Sequence, residues 1–457
     1  MVGLDIERRS VADVLAHDRS RLRKRQNIVS QTLDNEETLY YANLTLGTPA
    51  QNLRLHIDTG SSDLWVNTAS SSFCQEASGF CQGGTYDSSS SSTYQVVNND
   101  FNISYVDGSG ATGVYAADTL TFGGQTLTDF QFGIGQTSSS QQGVLGIGYQ
   151  INEVQVNRAG GPAYPNLPVA LLNAGLINSN AYSLWLNDLD ASTGTILFGG
   201  VNTAKYQGDL ATIPILREYG DYYELTIALT GLSAGGTNYD DSSSLPAPAL
   251  LDSGSTLAYL PNDLAEDIYN QVNAVYDSSA GVAYVPCSIT GTGSIDFTFS
   301  GQTISVPYDE LLLSAGTDQS GRPLTFRNGE EACLFGIAPA QGSTPVLGDT
   351  FLRSAYVVYD LENNEISLAQ TVFNSTANDV REIGTGTGAV PGATAVASPV
   401  TTVAAGTGAA RLGGGTTGTP TAIGGDPSST ANAAPALNKG SSSLGLAFAV
   451  LGAVMAL

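Results

Sequence analysis

The chain has few of the residues that metal chemistry, nucleic-acid binding or a cytosolic helical fold would need. Its 457 residues include two histidines, His17 and His56. A histidine-rich metal site is therefore excluded. A Ser-His-Asp or Cys-His triad would have to be built on His56, because His17 lies in a basic N-terminal segment. Positive charge is equally scarce, with 17 Lys+Arg against 42 Asp+Glu and a net charge of −25. Seven of those bases and four acids fall in the first 25 residues, which leaves the other 432 at a net −28. So acidic a body repels a phosphate backbone, and a nucleic-acid partner is excluded. Charged residues make up only 13%, against 53 glycines and 21 tyrosines, a composition that reads as secreted and β-rich. Nothing here calls for a cofactor or a metal.

Cysteines number four and fall as two local pairs, Cys74/Cys81 and Cys287/Cys333, with none at C-x-x-C metal spacing. An even count in a chain of extracellular character points to two disulfides. No apolar h-region is visible near Met1, and since the rest argues for secretion, a start site placed too far in is the expectation. Residues 1–25 read as a basic pro-segment ending at the dibasic Lys24-Arg25. Such a segment would dock on an anionic cleft and leave when acid neutralises the carboxylates.

Long hydrophobic runs are also missing. The terminal run Leu444–Leu457 has 14 residues, short of the roughly 20 that a spanning helix needs. It reads as a GPI-attachment tail (444–457), with Asn432 the candidate attachment residue and 435–443 the spacer. Residues 373–443, rich in Ser, Thr, Gly and Ala, read as a disordered, O-glycosylated stalk. The protein is expected to be secreted and held by this anchor at the plasma membrane or cell wall. Asn43, Asn102 and Asn374 begin N-glycosylation sequons.

Between about residues 36 and 370, short alternating runs are broken by Gly, Asn, Asp and Ser. Tyr40–Leu46, Leu53–Ile57, Thr195–Phe198 and Ala355–Tyr359 read as strands. Asp263–Tyr276 reads as an amphipathic helix on Leu264, Ile268 and Val272, while Pro168–Leu176 and Pro307–Leu313 are shorter candidates. Serine-rich patches at 88–92, 138–140 and 242–244 read as exposed loops. The fold class is all-β dominated, with few short helices.

This body repeats itself. Leu55-His56-Ile57-Asp58-Thr59-Gly60-Ser61-Ser62 recurs 194 residues later as Ala249-Leu250-Leu251-Asp252-Ser253-Gly254-Ser255-Thr256. Val144-Leu145-Gly146 follows the first copy and Val346-Leu347-Gly348 the second. One D-T-G is a weak signal, but two copies each followed by V-L-G imply two similar lobes facing across a cleft. Lobes of 26–195 and 196–372 are expected. Each delivers one carboxylate, Asp58 or Asp252, into a Gly-Ser turn, where Gly60 and Gly254 admit backbone N–H groups and Ser61 and Ser255 can donate hydroxyls. Two carboxylates meeting on a pseudo-two-fold axis cannot both ionise. One could activate a water as base while the protonated other polarises a carbonyl and later protonates the leaving amine.

On these motifs the body, roughly 36–370, resembles the pepsin-type aspartic endopeptidases, family A1. The resemblance implies a bilobal β fold with pseudo-two-fold symmetry, hydrolysis of peptide bonds at acidic pH, and protein or peptide substrates. It implies Asp58 and Asp252 as the dyad, supported by Thr59, Gly60, Ser61, Ser253, Gly254 and Ser255. Phe101–Ser109 is similar to the family's substrate-covering flap, which makes Tyr105 the flap tyrosine, with Asp107 and Gly108 at the tip and Trp65 as its support. The cysteine pairs Cys74–Cys81 and Cys287–Cys333 fit one disulfide loop per lobe. Basic pro-segment, stalk and tail together resemble the fungal yapsins, the cell-surface branch, although their long acidic insertion has no clear equivalent. Val106 stands where Gly is usual and Ser253 where Thr is common. A carboxylate at Asp107 would favour basic residues near the scissile bond, with a mixed apolar-and-basic preference as the alternative. A monomer is expected, its own pro-segment the one protein partner besides substrate.

His56 is read as a half-buried strand residue outside the cleft. Three rivals to an acid endopeptidase are a non-catalytic bilobal binding protein, a cell-wall structural protein or adhesin, and an acid glycosidase. Intact turns around both Asp residues argue against the first rival. The motif repeat argues against the second, and the identical sequences flanking the two carboxylates argue against the third.

Overall fold

The computed structural model describes residues 27–403, apart from 36–38, 77–80, 106–108, 158–159, 219, 290–292 and 318–320. Strands form where the sequence alternates. Ser294–Phe299 turns Ile295, Phe297 and Phe299 inward and pairs antiparallel with Gln302–Pro307. The two-residue turn between them, Ser300 and Gly301, has φ of +52° and +95°, the left-handed pair that suits the twist of a tight hairpin. Where apolar residues run on without alternation, the strand is buried on both faces, as in Leu64–Asn67.

Fourteen strands share one large sheet. Within it, Ala181–Trp185 pairs antiparallel with Ala355–Asp360, so a strand of the first half and one of the second are joined edge to edge. Thr193–Phe198 and Val29–Asn35 continue the sheet on one side, and Glu365–Thr371 and Tyr206–Pro214 on the other. A long hairpin, Gln95–Ser104 against Gly110–Phe122, forms the far edge of the first half. Three smaller sheets of five, four and four strands complete the second half. A single large apolar core runs through both halves, and a smaller cluster of Trp65, Phe101, Tyr105, Tyr115 and Tyr164 lies under the hairpin. The disulfides are Cys74–Cys81 and Cys287–Cys333.

The four strands read from sequence are present, three with one to three added residues. Other boundaries move. The predicted helix 263–276 is Asn262–Val272 and buries Leu264, Ile268 and Val272, but Asn273 turns left-handed (φ +54°) and Val275–Asp277 becomes a strand. Pro168–Leu176 shortens to the helix Leu167–Asn173, and Pro307–Leu313 to one 3-10 turn, Tyr308–Leu311. Ser138 is buried at the end of a strand, not in an exposed loop. A lobe boundary at 195/196 would cut the strand Thr193–Phe198, so the crossing between halves comes after it.

The expected disorder from residue 373 needs a larger correction. As far as 403 the chain lies against the body: Val380–Glu382 pairs with Gly200–Asn202, and Ala393–Ala395 runs parallel to Leu210–Thr212. Ile383 and Val390 are buried there, so a few apolar side chains and two lengths of sheet edge order a segment whose average composition suggests disorder. The rest of the stalk, the tail with Asn432, and the pro-segment with Lys24 and Arg25 lie outside the described residues.

Candidate active site

Each half builds the same three-strand arrangement. In the first, Gln51–Asp58 runs parallel to Val144–Gly146, which is antiparallel to Leu64–Asn67. In the second, Ala247–Leu251 runs parallel to Val346–Leu347, which is antiparallel to Ala258–Leu260. The repeated V-L-G is thus the central strand of each arrangement. Its glycine is required by a close backbone approach: a Cβ on Gly146 would lie 2.6 Å from the amide nitrogen of Asp63, and one on Gly348 2.2 Å from the carbonyl oxygen of Ser255. A side chain at either place would push the Asp-bearing turn out of position.

The two turns meet face to face. A Cβ on Gly60 would be 2.6 Å from Asp252 Oδ1, and one on Gly254 would be 2.4 Å from Asp58 Oδ1. Each glycine therefore leaves space for the other half's carboxylate. The hydrogen bonds repeat as well. Gly60 N–H donates to Asp58 Oδ1 and Gly254 N–H to Asp252 Oδ1, both at 2.8 Å. The Ser61 hydroxyl donates to Asp58 Oδ2, and that of Ser255 to Asp252 Oδ2 at 2.8 Å. Between the halves, Thr59 N–H donates to Ser253 Oγ (3.2 Å) and Ser253 N–H to Thr59 Oγ1 (2.9 Å). Those two hydroxyls in turn donate to the carbonyls of Leu251 (2.8 Å) and Ile57 (3.0 Å). Serine in place of threonine at 253 keeps the whole exchange.

Both carboxylates are fully buried. Burial first, then the negative charge of Asp252 beside it, pushes the Asp58 carboxyl well above the usual range, while the hydrogen bonds from Ser61 and Gly60 oppose the shift. Such a pair holds one proton over a wide acidic range. The arrangement can therefore offer a base and an acid side by side.

Tyr105 directly follows the first strand of the long hairpin and is buried, its hydroxyl accepting from Trp65 Nε1 at 2.5 Å. The hairpin closes with Tyr105 N–H donating to the Ser109 carbonyl at 2.8 Å. Val106, Asp107 and Gly108 lie outside the described residues. The sequon residues Asn43, Asn102 and Asn374 are all exposed.

Several polar residues near the turns went unremarked in the sequence. Asp63, in the loop after Asp58, is fully buried and accepts from the hydroxyls of Tyr115 (2.6 Å) and Tyr164 (2.8 Å) and from Val154 N–H (2.9 Å). Nearby Glu153 is buried, and desolvation pushes its carboxyl up to about 9. Behind the second turn, Asp349 N–H donates to the Ser255 carbonyl (2.8 Å), and burial pushes its carboxyl well up, with Arg353 opposing and Asp252 adding. The fully buried Arg353 donates from Nε to Glu310 Oε2 at 2.5 Å. One signal was in the sequence: the second V-L-G runs into Asp349-Thr350-Phe351-Leu352-Arg353, whereas the first runs into Ile147-Gly148. His56 also departs from its reading. It is 2% exposed, and its Nε2 lies 3.1 Å from the carbonyl oxygen of Ser253, inside the contact between the halves.

A sequence model of the family described as eukaryotic aspartyl protease matches residues 39–371. A curated relative from Aspergillus oryzae, named "Probable aspartic-type endopeptidase opsB", is 57% identical over 442 residues, 95% of this chain and 89% of that one. "Secreted aspartic protease 3" of Candida albicans is 40% identical over 368 residues, 78% of this chain and 85% of the relative. Among solved structures, the aspartic proteinase from Irpex lacteus superposes with a TM-score of 0.61 at 21% identity, over 77% of this chain and 100% of that one. That last similarity shows the fold.

Proposed function

The chain belongs to the eukaryotic aspartyl protease family and is an aspartic-type endopeptidase, and on that premise we propose that Asp58 and Asp252 are its catalytic dyad. The observation that carries this reading is the reciprocal seating of each carboxylate against the other half's glycine. The inner oxygens hold a water between them. One carboxylate takes a proton from that water as it attacks the scissile carbonyl, while the protonated partner donates to the carbonyl oxygen. The proton taken up then passes to the leaving amine as the C–N bond breaks, and a hydroxyl of the tetrahedral diol returns its proton to the partner carboxylate, which restores the shared-proton state. Thr59 and Ser253 lock the two turns together, Gly60 and Gly254 supply the N–H donors, and Ser61 and Ser255 hold the outer oxygens.

Substrate lies under the hairpin that carries Tyr105, braced by Trp65, with Asp107 and Gly108 at its tip. The acidic body draws basic peptides, and Asp107 favours a basic residue near the scissile bond. The enzyme is a secreted monomer of two lobes, kept inactive by the basic segment 1–25 until cleavage at Lys24-Arg25. It carries glycans at Asn43, Asn102 and Asn374 and is held at the cell surface by a GPI anchor at Asn432, as in the yapsin-like branch.

The test is a digest of a diverse peptide mixture near pH 4 by acid-activated protein, with and without pepstatin, beside Asp58→Asn and Asp252→Asn variants. Each variant should lose at least about a hundredfold in kcat, the lower range for removing an acid–base group. Cut sites read by mass spectrometry decide the basic preference. A folded Asp252→Asn protein that cleaves at the wild-type rate would falsify the dyad.

A further inference from the structure

The repeat extends through the backbone beneath the two turns but breaks at one side chain. Two residues before each Asp, His56 N–H donates to the Gly143 carbonyl (3.1 Å) and Leu250 N–H to the Pro345 carbonyl (3.0 Å), the same bond in the same place. The strand partners correspond too, His56 opposite Val144 and Leu250 opposite Val346. Only the first half places a hydrogen-bonding side chain there. The His56 ring is buried, packs against the Tyr41 ring (centroids 5.8 Å apart), and points Nε2 at the Ser253 carbonyl. A carbonyl oxygen only accepts, so Nε2 carries the proton.

We propose that His56 is a positioning residue for the second active-site loop: its Nε2–H donates across the halves to the Ser253 carbonyl and holds the adjoining Asp252 in register with Asp58. This rests on the dyad reading above. Ser253 is then gripped through every polar group it has. Its carbonyl is held by His56, its hydroxyl by Ile57 and Thr59, and its N–H by Thr59. The Asp58 side of the contact has no equivalent tether, because the Leu250 side chain has no donor.

The same residue links the loop to pH. Desolvation pushes the His56 ring down to about 4, opposed only by the Ser253 hydrogen bond. Around it, the titratable or charged groups are Tyr41 on the neighbouring strand, Asp252 next to Ser253, and Arg54 and Asp58 on its own strand, while the strand Val144–Gly146 offers none. The Arg54 guanidinium lies over the far partner, 4.6 Å from the Tyr41 ring centroid. In weak acid the ring is neutral and the tether costs nothing electrostatically. In stronger acid it becomes a buried cation, and the loop it holds is the part that must yield.

The test compares acid-activated full-length wild type with His56→Gln, which keeps an N–H donor and does not titrate, and His56→Leu, which copies the second half. kcat and KM are read separately from about pH 3 to pH 7. His56→Gln should keep kcat within about twofold near pH 5.5 and move the acid limb down by about one pH unit. His56→Leu should lose about tenfold in kcat with KM unchanged, the worth of one well-placed hydrogen bond, and show the same displaced limb. Wild-type kcat and an unmoved acid limb in His56→Leu would overturn the proposal. So would a folded Gln variant as impaired as the Leu variant, or failure of both to fold, since packing of the ring would then be its role. Asp252→Asn separates the two readings: activity surviving in it removes the dyad, whereas the His56 variants change the profile of a dyad that still works.

Discussion

The two active-site turns match in backbone and in the four hydrogen bonds to their carboxylates, yet they sit in different surroundings. The first is backed by His56 and by the acids Asp63 and Glu153 under the hairpin. The second is backed by the apolar Leu250 and, behind Ser255, by Asp349 and the Glu310–Arg353 pair. The lesson is a division of labour. Symmetry fixes where the two oxygens meet, and asymmetry decides how each half tolerates pH.

The largest break in the comparison should come from Arg353, which has no counterpart in the first half. Arg353→Met leaves Glu310 buried without its cation, a loss of about 3–5 kcal/mol for breaking a buried pair. Urea unfolding near pH 6 measures it. Burial already pushes Glu310 upward, with Arg353 opposing, so in stronger acid Glu310 takes up a proton and the loss should shrink. Removing both charges with Glu310→Leu should restore most of the stability. A loss under about 1 kcal/mol, no larger than an exposed pair gives, would show that the second half does not depend on this pair.

Glu153 gives the next largest effect, and it acts on the first half. Its folded value of about 9 lies above the ordinary 4.5, so between those values the native state binds the extra proton and stability falls as pH rises. His56 acts in the opposite direction. Its folded value of about 4 lies below the ordinary 6.5, so stability falls as pH drops through that window. Between about 4.5 and 6.5 the two slopes oppose each other, which places the first half's best stability in weak acid. Glu153→Gln should flatten the decline above pH 6.5 by up to about 1.4 kcal/mol per pH unit. Thermal melts across pH 5–8 that superimpose on wild type would remove Glu153 as the cause.

How much of this could be read from the sequence depended on whether a feature repeats. Asp58 and Asp252 with their V-L-G partners were visible because a pattern written twice is hard to produce by chance, and that pattern alone implied facing halves. Asp63, Glu153, Asp349 and His56 were not visible. Each occurs once, and nothing local in a sequence distinguishes a buried carboxyl or imidazole from an exposed one. The segment 373–403 misled for a related reason. Composition averages over a window, whereas Ile383 and Val390 order it by meeting particular partners on the body.

The smallest effect tests the symmetry itself. Ser61 and Ser255 donate to the outer oxygens of Asp58 and Asp252 in the same way. Ser61→Ala and Ser255→Ala should each lower kcat several-fold to about tenfold, the net worth of one hydrogen bond, with KM unchanged. The Ser61 bond also lowers the Asp58 carboxyl, so its loss should move the acid limb of kcat to higher pH. Equal losses would mean that the shared proton divides its time evenly between the carboxylates. Unequal losses would say more. A hydroxyl bonded to a charged carboxylate is worth about twice one bonded to a neutral acid, so the more damaging substitution marks the carboxylate that stays ionised and serves as the base. With His56 fixing the second loop alone, the two environments differ, and the losses should be unequal.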